Sequence, residues 1–205
     1  MTKLVVISAG LSNPSSTRLL GDLLKAATVE ALGEADVTTI ELRDLSQQLH
    51  DNLMTGFPSP KLADAIAAVG EADGIIVVTP VFSASYSGLF KTFFDVLEEG
   101  LLDGKPVLIA ATAGTARHSL VLEHAMRPLF AYLHAVVMPT GVFAATDDFG
   151  SAGLQDRIDR AAAELAAHLG ARSDSLRPVS VRKLVEDGFD NPTPFEELLK
   201  QAAGR

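Results

Sequence analysis

Five short apolar runs, at residues 4–8, 37–42, 74–78, 106–112 and 136–143, recur along the chain with longer, helix-like stretches between them. Runs that are apolar at consecutive rather than alternating positions suit strands buried on both faces. The intervening segments 17–32, 61–71, 87–99, 118–133 and 154–169 carry apolar residues at helical spacing and supply the cover. This alternation predicts a parallel sheet with helices on both sides, an α/β three-layer sandwich. The second run is the most polar, with Thr38, Thr39 and Glu41 among Val37, Ile40 and Leu42, which suits an edge strand. A doubly wound order 2-1-3-4-5 puts it there and brings the loops after strands one, three and four, residues 9–16, 79–86 and 113–117, to one crevice.

At 205 residues and 47% hydrophobic content the chain buries one substantial core. The alternating pattern defines a domain over 1–170. Residues 171–205 read as a C-terminal extension, in which the capping box Thr193-Pro194-Phe195-Glu196 opens a short helix to about Ala203. A net charge of −9 argues against nucleic acid or an anionic membrane surface as partner. The absence of cysteine excludes disulfides, thiol nucleophiles and Cys-ligated metals, so redox chemistry requires a bound cofactor. No apolar run reaches bilayer-spanning length and the first is too short for a secretory signal, so a cytoplasmic protein is expected. His118 and His124 lack an acidic partner at ligand spacing, and Asp147-Asp148 reads as a solvated loop; no metal site is expected.

The three crevice loops carry the chemistry. Gly10-Leu11-Ser12-Asn13-Pro14-Ser15-Ser16-Thr17-Arg18 places hydroxyls, an amide and a cation at the start of a helix, which suits a phosphate monoester. It has neither the Walker spacing nor GxGxxG. Thr79 to Lys91, TPVFSASYSGLFK, leaves a buried strand through Pro80 and offers Phe82, Ser83, Ser85, Tyr86 and Ser87 to a flat polar ring before a helix capped by Ser87. In Ala111-Thr112-Ala113-Gly114-Thr115-Ala116-Arg117-His118 small residues around Gly114 let the backbone approach such a ring closely. Each loop alone reads equally as a capped turn. Together they form a phosphate site with two ring walls.

These segments resemble the NADPH-dependent FMN reductase family of flavodoxin-like proteins, especially the reductases that serve two-component monooxygenases of the luciferase-like and alkanesulfonate types. TPVFSASYSGLFK resembles the family's TPVY-x-x-x-YSG-x-LK, with Phe82 at the tyrosine position; ATAGTARH resembles ATGGT-x-x-H; and SNPSSTRLL resembles its serine-rich phosphate loop, although Leu11 follows Gly10 and no arginine precedes Ser15. The resemblance implies a flavodoxin-like fold and an NAD(P)H:FMN oxidoreductase using FMN with NADPH or NADH. It implies phosphate contacts at Ser12, Ser15, Thr17 and Arg18, and ring contacts at Pro80, Val81, Phe82, Ser83, Thr112, Ala113, Gly114 and Thr115. No catalytic residue is assigned, because the cofactors carry the chemistry. The alternatives are a reductase of quinones or azo dyes that keeps its FMN, and a non-enzymatic electron carrier. A homodimer or homotetramer is expected, since Phe90, Phe93, Phe94, Met126 and Phe130 offer more bulk than one sheet face buries. Pro128 predicts a kink in the fourth helical segment.

Overall fold

The computed structural model describes residues 1–170; the expected extension 171–205 and its short helix lie outside the described residues. The elements are β1 (Thr2–Ser8), α1 (Ser16–Leu32), β2 (Ala35–Glu41), α2 (Ser46–Thr55), α3 (Pro60–Glu71), β3 (Gly74–Phe82), β4 (Ser85–Tyr86), α4 (Gly88–Asp95), β5 (Pro106–Ala113), α5 (Arg127–Tyr132), β6 (Val136–Val137), β7 (Val142–Ala145) and α6 (Ala152–His168). The parallel order is β2-β1-β3-β5-β6, with β7 also paired to β5. This is the flavodoxin-like arrangement, with the polar strand β2 at the edge.

Consecutive residues of the inner strands serve opposite cores. Val5, Ile7, Ile75, Val77, Val107 and Ile109 face one side. There α3 (Leu62, Val69), α4 (Phe90, Phe93) and α5 (Phe130) cover them. Leu4, Val6, Ile76, Val78, Leu108 and Ala110 face the other side, under α1 (Leu20, Leu24) and α6 (Leu154, Ile158, Leu165). Each fully buried aliphatic side chain contributes roughly 1.5–3 kcal/mol, so burial on both faces dominates the stability of the sheet. Serines set where the helices start: Ser15, Ser59, Ser87 and Ser151 each accept a backbone N–H from the first turn that follows.

Four features depart from the sequence reading. Helix α2 was not predicted, because in SQQLHDNLMT only Leu49 and Asn52 are buried and the apolar periodicity is missing. The fifth strand is broken into β6 and β7. Along β5 the register partner shifts by two residues between Pro106↔Val136 and Ala110↔Val142. Proline cannot donate to the ladder, and side chains serve the bulged backbone: Arg127 donates to the carbonyls of Met138 and Pro139, while Glu164 accepts from the Thr140 N–H and hydroxyl. The fourth helical segment opens with a π-helical turn, Leu122–Met126, in which the Arg127 N–H reaches the Leu122 carbonyl. That extra residue places Pro128 in the first turn of α5, where its missing N–H costs nothing. The predicted 87–99 helix also stops early, at Asp95.

The aromatic bulk of α4 and α5 does not call for a second subunit. Phe90, Phe93, Phe94, Met126 and Phe130 are all buried within one chain. Phe94 sits 4.8 Å from Phe90 and 4.9 Å from Phe130 between ring centroids, the latter edge-on. Phe90→Ala removes the ring that also meets Tyr86 and should cost about 3–5 kcal/mol. A urea titration checks this, and a midpoint close to that of the parent would show that the cluster repacks.

Candidate functional site

The carboxyl ends of β1, β3 and β5 lie side by side, and the three loops leave from them. Ala9 N–H still bonds the Val78 carbonyl at 2.9 Å, so the first loop starts alongside β3. Pro80 stands in register with Thr112, so the second and third loops part from adjacent points.

In the first loop Ser15 is the N-cap of α1, its Oγ accepting the Arg18 N–H at 3.2 Å. The Leu19 N–H bonds the Ser15 carbonyl. The N–H groups of Ser16 and Thr17 precede the first intrahelical bonds and stay available to an acceptor, as does the Ser15 hydroxyl proton. A 17-residue helix adds the positive end of its dipole. Gly10 is packed beneath this turn: a Cβ there would stand 2.2 Å from Ser15 Oγ and 3.2 Å from Thr17 Cβ. The donors converge on a site suited to a phosphate-sized anion.

Thr17 is buried, and its hydroxyl lies 2.8 Å from that of Thr112, which is buried as well. The bond ties the first loop to the third, and whichever hydroxyl accepts keeps its own proton for a further partner. Arg18 is turned toward carboxylates. Its Nε donates to Asp22 Oδ2 at 2.8 Å and its Nη1 meets Glu41 Oε1. Burial pushes the Asp22 carboxyl up, but hydrogen bonds from Lys25 and Arg18 outweigh this and hold it below the usual carboxylate range. Ser12 is exposed, and its carbonyl accepts from Arg43 at 3.1 Å.

The second loop is a β-hairpin. Val81 pairs with Tyr86 and Phe82 with Ser85. Its two central residues, Ser83 and Ala84, have φ of 49° and 66°, a mirror-image turn that normally selects glycine or asparagine. Holding two other residues in this region costs of order 1–3 kcal/mol each. The Thr79 hydroxyl closes the hairpin base by accepting the Ser87 N–H at 3.0 Å. Pro80 and Val81 are half-buried, while Phe82, 47% exposed, and Ser83 stand on the rim. Ser87 is buried and caps α4, while Tyr86, half-buried, packs on Phe90 at the edge of the outer groove of α4 and α5.

In the third loop Ala113 is half-buried, and Gly114 and Thr115 are exposed. A Cβ at Gly114 would meet nothing within 4 Å, so this wall faces open space. Sequence reasoning overlooked Gly10 and Thr79 as supports; the glycine directly after β1 and the threonine before Pro80 were the available signals. The loops 9–17, 79–88 and 112–121 contain no Asp or Glu, in a chain with 26 of them.

Comparison with known proteins follows the same direction. Residues 2–150 match the family described as NADPH-dependent FMN reductase. An FMN reductase (NADPH) of Pseudomonas aeruginosa is 38% identical over 180 residues, covering 85% of this chain and 96% of the relative. An NADH-dependent FMN reductase, SfnE, of Pseudomonas putida is 38% identical over 178 residues, covering 84% and 95%. The crystal structure of an oxidoreductase from Corynebacterium diphtheriae superposes with a TM-score of 0.81 at 51% identity, covering 83% of this chain and 97% of that one.

The two loop glycines should behave oppositely. Gly10→Ala pushes a methyl group into the Ser15 cap and should destabilise by about 1–3 kcal/mol, the typical cost of overpacking. Gly114→Ala meets open space and should be neutral or stabilise by up to about 1 kcal/mol. Thermal melts of both variants check this; equal melting temperatures would mean that the first loop relaxes around the added methyl.

Proposed function

The chain belongs to the NADPH-dependent FMN reductase family, and we propose that it binds FMN across the three loops, reduces it with NADPH or NADH, and releases it to a flavin-dependent monooxygenase. It is an NAD(P)H:FMN oxidoreductase. The observation that carries the site assignment is the meeting of free α1 N–H donors with the open wall at Gly114, in a crevice whose loops hold no carboxylate.

The Ser15 hydroxyl and the N–H groups of Ser16 and Thr17 hold the flavin phosphate. Thr17 acts through its bond to Thr112, and Ser12 lies on the rim of the same turn. Arg18 contributes as a nearby charge shared with Asp22 and Glu41. Pro80, Val81, Phe82 and Ser83 border one side of the ring, and Thr112, Ala113, Gly114 and Thr115 the other. Bound there, FMN supplies the redox chemistry as acceptor of a hydride from reduced nicotinamide. The protein's part is orientation and the exclusion of competing geometries. Support for a monooxygenase acceptor comes from the likeness of TPVFSASYSGLFK and the serine-rich loop to reductases of that kind. A cytoplasmic location belongs to the same reading. Among the described residues no helix is long and apolar enough to cross a membrane.

The homo-oligomer now rests on the outer surface of α4 and α5 rather than on their buried rings. A groove of about 460 Å³ runs there beside Tyr86, His124, Leu129 and Tyr132, with Tyr132 82% exposed. A second copy of the chain, related by a twofold axis, is the proposed occupant. Light scattering should give a dimer or tetramer at micromolar concentration, and Tyr132→Glu should shift it toward monomer. A parent protein that is monomeric and fully active would exclude this arrangement.

Two measurements test the reductase assignment. Steady-state oxidation of NADPH or NADH should be sustained by excess free FMN. If added FMN changes nothing while a quinone or azo dye is reduced, the flavin is a retained group. If neither nucleotide is oxidised under any flavin condition, the reading fails. Ser15→Gly keeps an acceptable N-cap at a cost of a few tenths of a kcal/mol but removes the hydroxyl. Hydrogen bonds to charged groups contribute about 1.5–3 kcal/mol, so FMN affinity should fall by about one to two decades while riboflavin affinity holds. Equal weakening of both flavins would make Ser15 a cap and nothing more.

A further inference from the structure

The cations of the described residues are almost all occupied. Lys3, Lys25 and Lys91 hold carboxylates, Lys61 and Lys105 hold backbone carbonyls, and Arg18, Arg43, Arg127 and Arg157 meet carboxylates. Among these residues only Arg117 and Arg160 have neither. Arg160 lies on the exposed face of α6, within a turn of Asp156 and Asp159. Arg117 differs in its surroundings. It is exposed, at the middle of a short 3-10 turn, Ala116–His118, that follows the extended Thr115, and no acidic residue occurs between Asp103 and Glu123. Glu123 is itself held by Arg127, whose hydrogen bonds reach it at 2.7 and 3.0 Å.

A chain of net charge −9 repels a polyanionic substrate at long range. The crevice loops hold no carboxylate, and their one uncommitted guanidinium stands on the β5 side. The α1 cradle stands on the β1 side, with β3 between them. A flavin phosphate held at α1 leaves Arg117 without an anion. The remaining anionic reactant is the pyridine dinucleotide, whose phosphates extend away from a nicotinamide stacked on the ring.

We propose that Arg117 is the residue that binds a phosphate of the reduced pyridine dinucleotide, at a site separate from the flavin phosphate cradle. This rests on the reductase reading. The shared chemistry is a phosphate group, which both NADPH and NADH carry in the pyrophosphate and NADPH alone carries on the 2′-oxygen. A guanidinium suits either, through paired N–H donors.

The test uses FMN-loaded full-length protein with Arg117→Ala and Arg117→Lys. Calorimetric titrations give the dissociation constants of NADP⁺ and NAD⁺, and steady-state assays give KM and kcat for NADPH, NADH and reduced nicotinamide riboside, which has no phosphate. Arg117→Ala should weaken the dinucleotides about tenfold, ~1.4 kcal/mol, with kcat retained. Arg117→Lys should recover part of the loss. The parent's salt dependence should flatten in the alanine variant, because the lost contact is a charge-charge term that mobile ions screen. Loss for NADP⁺ alone locates the contact at the 2′-phosphate, and equal loss for both at the pyrophosphate. Unchanged dinucleotide affinity, an equal loss for the riboside, or a parallel loss of FMN affinity would each overturn the proposal. Calorimetry reads Arg117 directly, so failure of the parent to oxidise either nucleotide would count against the reductase reading and not be confused with this result.

Discussion

Strand β3 is hydrogen-bonded on both sides, to β1 and to β5, and from Gly74 to Thr79 it is buried throughout. A strand in that position satisfies its backbone entirely within the sheet and needs an apolar layer on each face, which is why Ile75 and Val77 belong to one core and Ile76 and Val78 to the other. The helices are placed by this demand. The chain must also leave β3 abruptly, because α4, with its phenylalanines, has to fold back onto the same face. Pro80, the hairpin and the Ser87 cap carry out that reversal within eight residues of Thr79, and the Thr79 hydroxyl holds the two ends together.

The crevice is thus a consequence of topology before it is a binding site. Parallel strands bring three loop origins together at one edge, and what differs is the chemistry each loop presents: helix N–H donors and hydroxyls from the first, a strained hairpin rim from the second, bare backbone from the third. The Thr17–Thr112 bond joins residues 95 positions apart and fixes the spacing between the first and third loops. A hairpin that places Ser83 and Ala84 at positive φ costs stability, and strain of this kind persists only where neighbouring structure enforces it, here the short β4 pairing and the Tyr86–Phe90 contact.

Charge distribution does the remaining work. The protein is acidic overall, yet the crevice loops have no carboxylate, so an anion meets less repulsion there than beside an acidic loop. The loops offer fixed geometry: N–H groups at the start of α1, a glycine with open space over it, and an aromatic edge at Phe82.

Much of this was legible in the amino-acid order alone. Continuous apolar runs marked β1, β3 and β5 and Ser87 marked the start of α4, because these features depend on backbone periodicity and short-range capping, and the lack of cysteine meant that redox chemistry requires a bound cofactor. Helix α2 escaped because it buries little besides Leu49, and the break between β6 and β7 escaped because partners from Arg127 and Glu164 replace its ladder bonds. The direction of each site side chain was likewise decided by tertiary structure. Arg18 faces Glu41 instead of standing alone at the cradle, Thr17 finds Thr112, Ser87 turns to the core, and Tyr86 packs on Phe90. A hydroxyl or guanidinium takes the strongest partner within reach, and which partners are within reach is set by strands and helices distant in sequence.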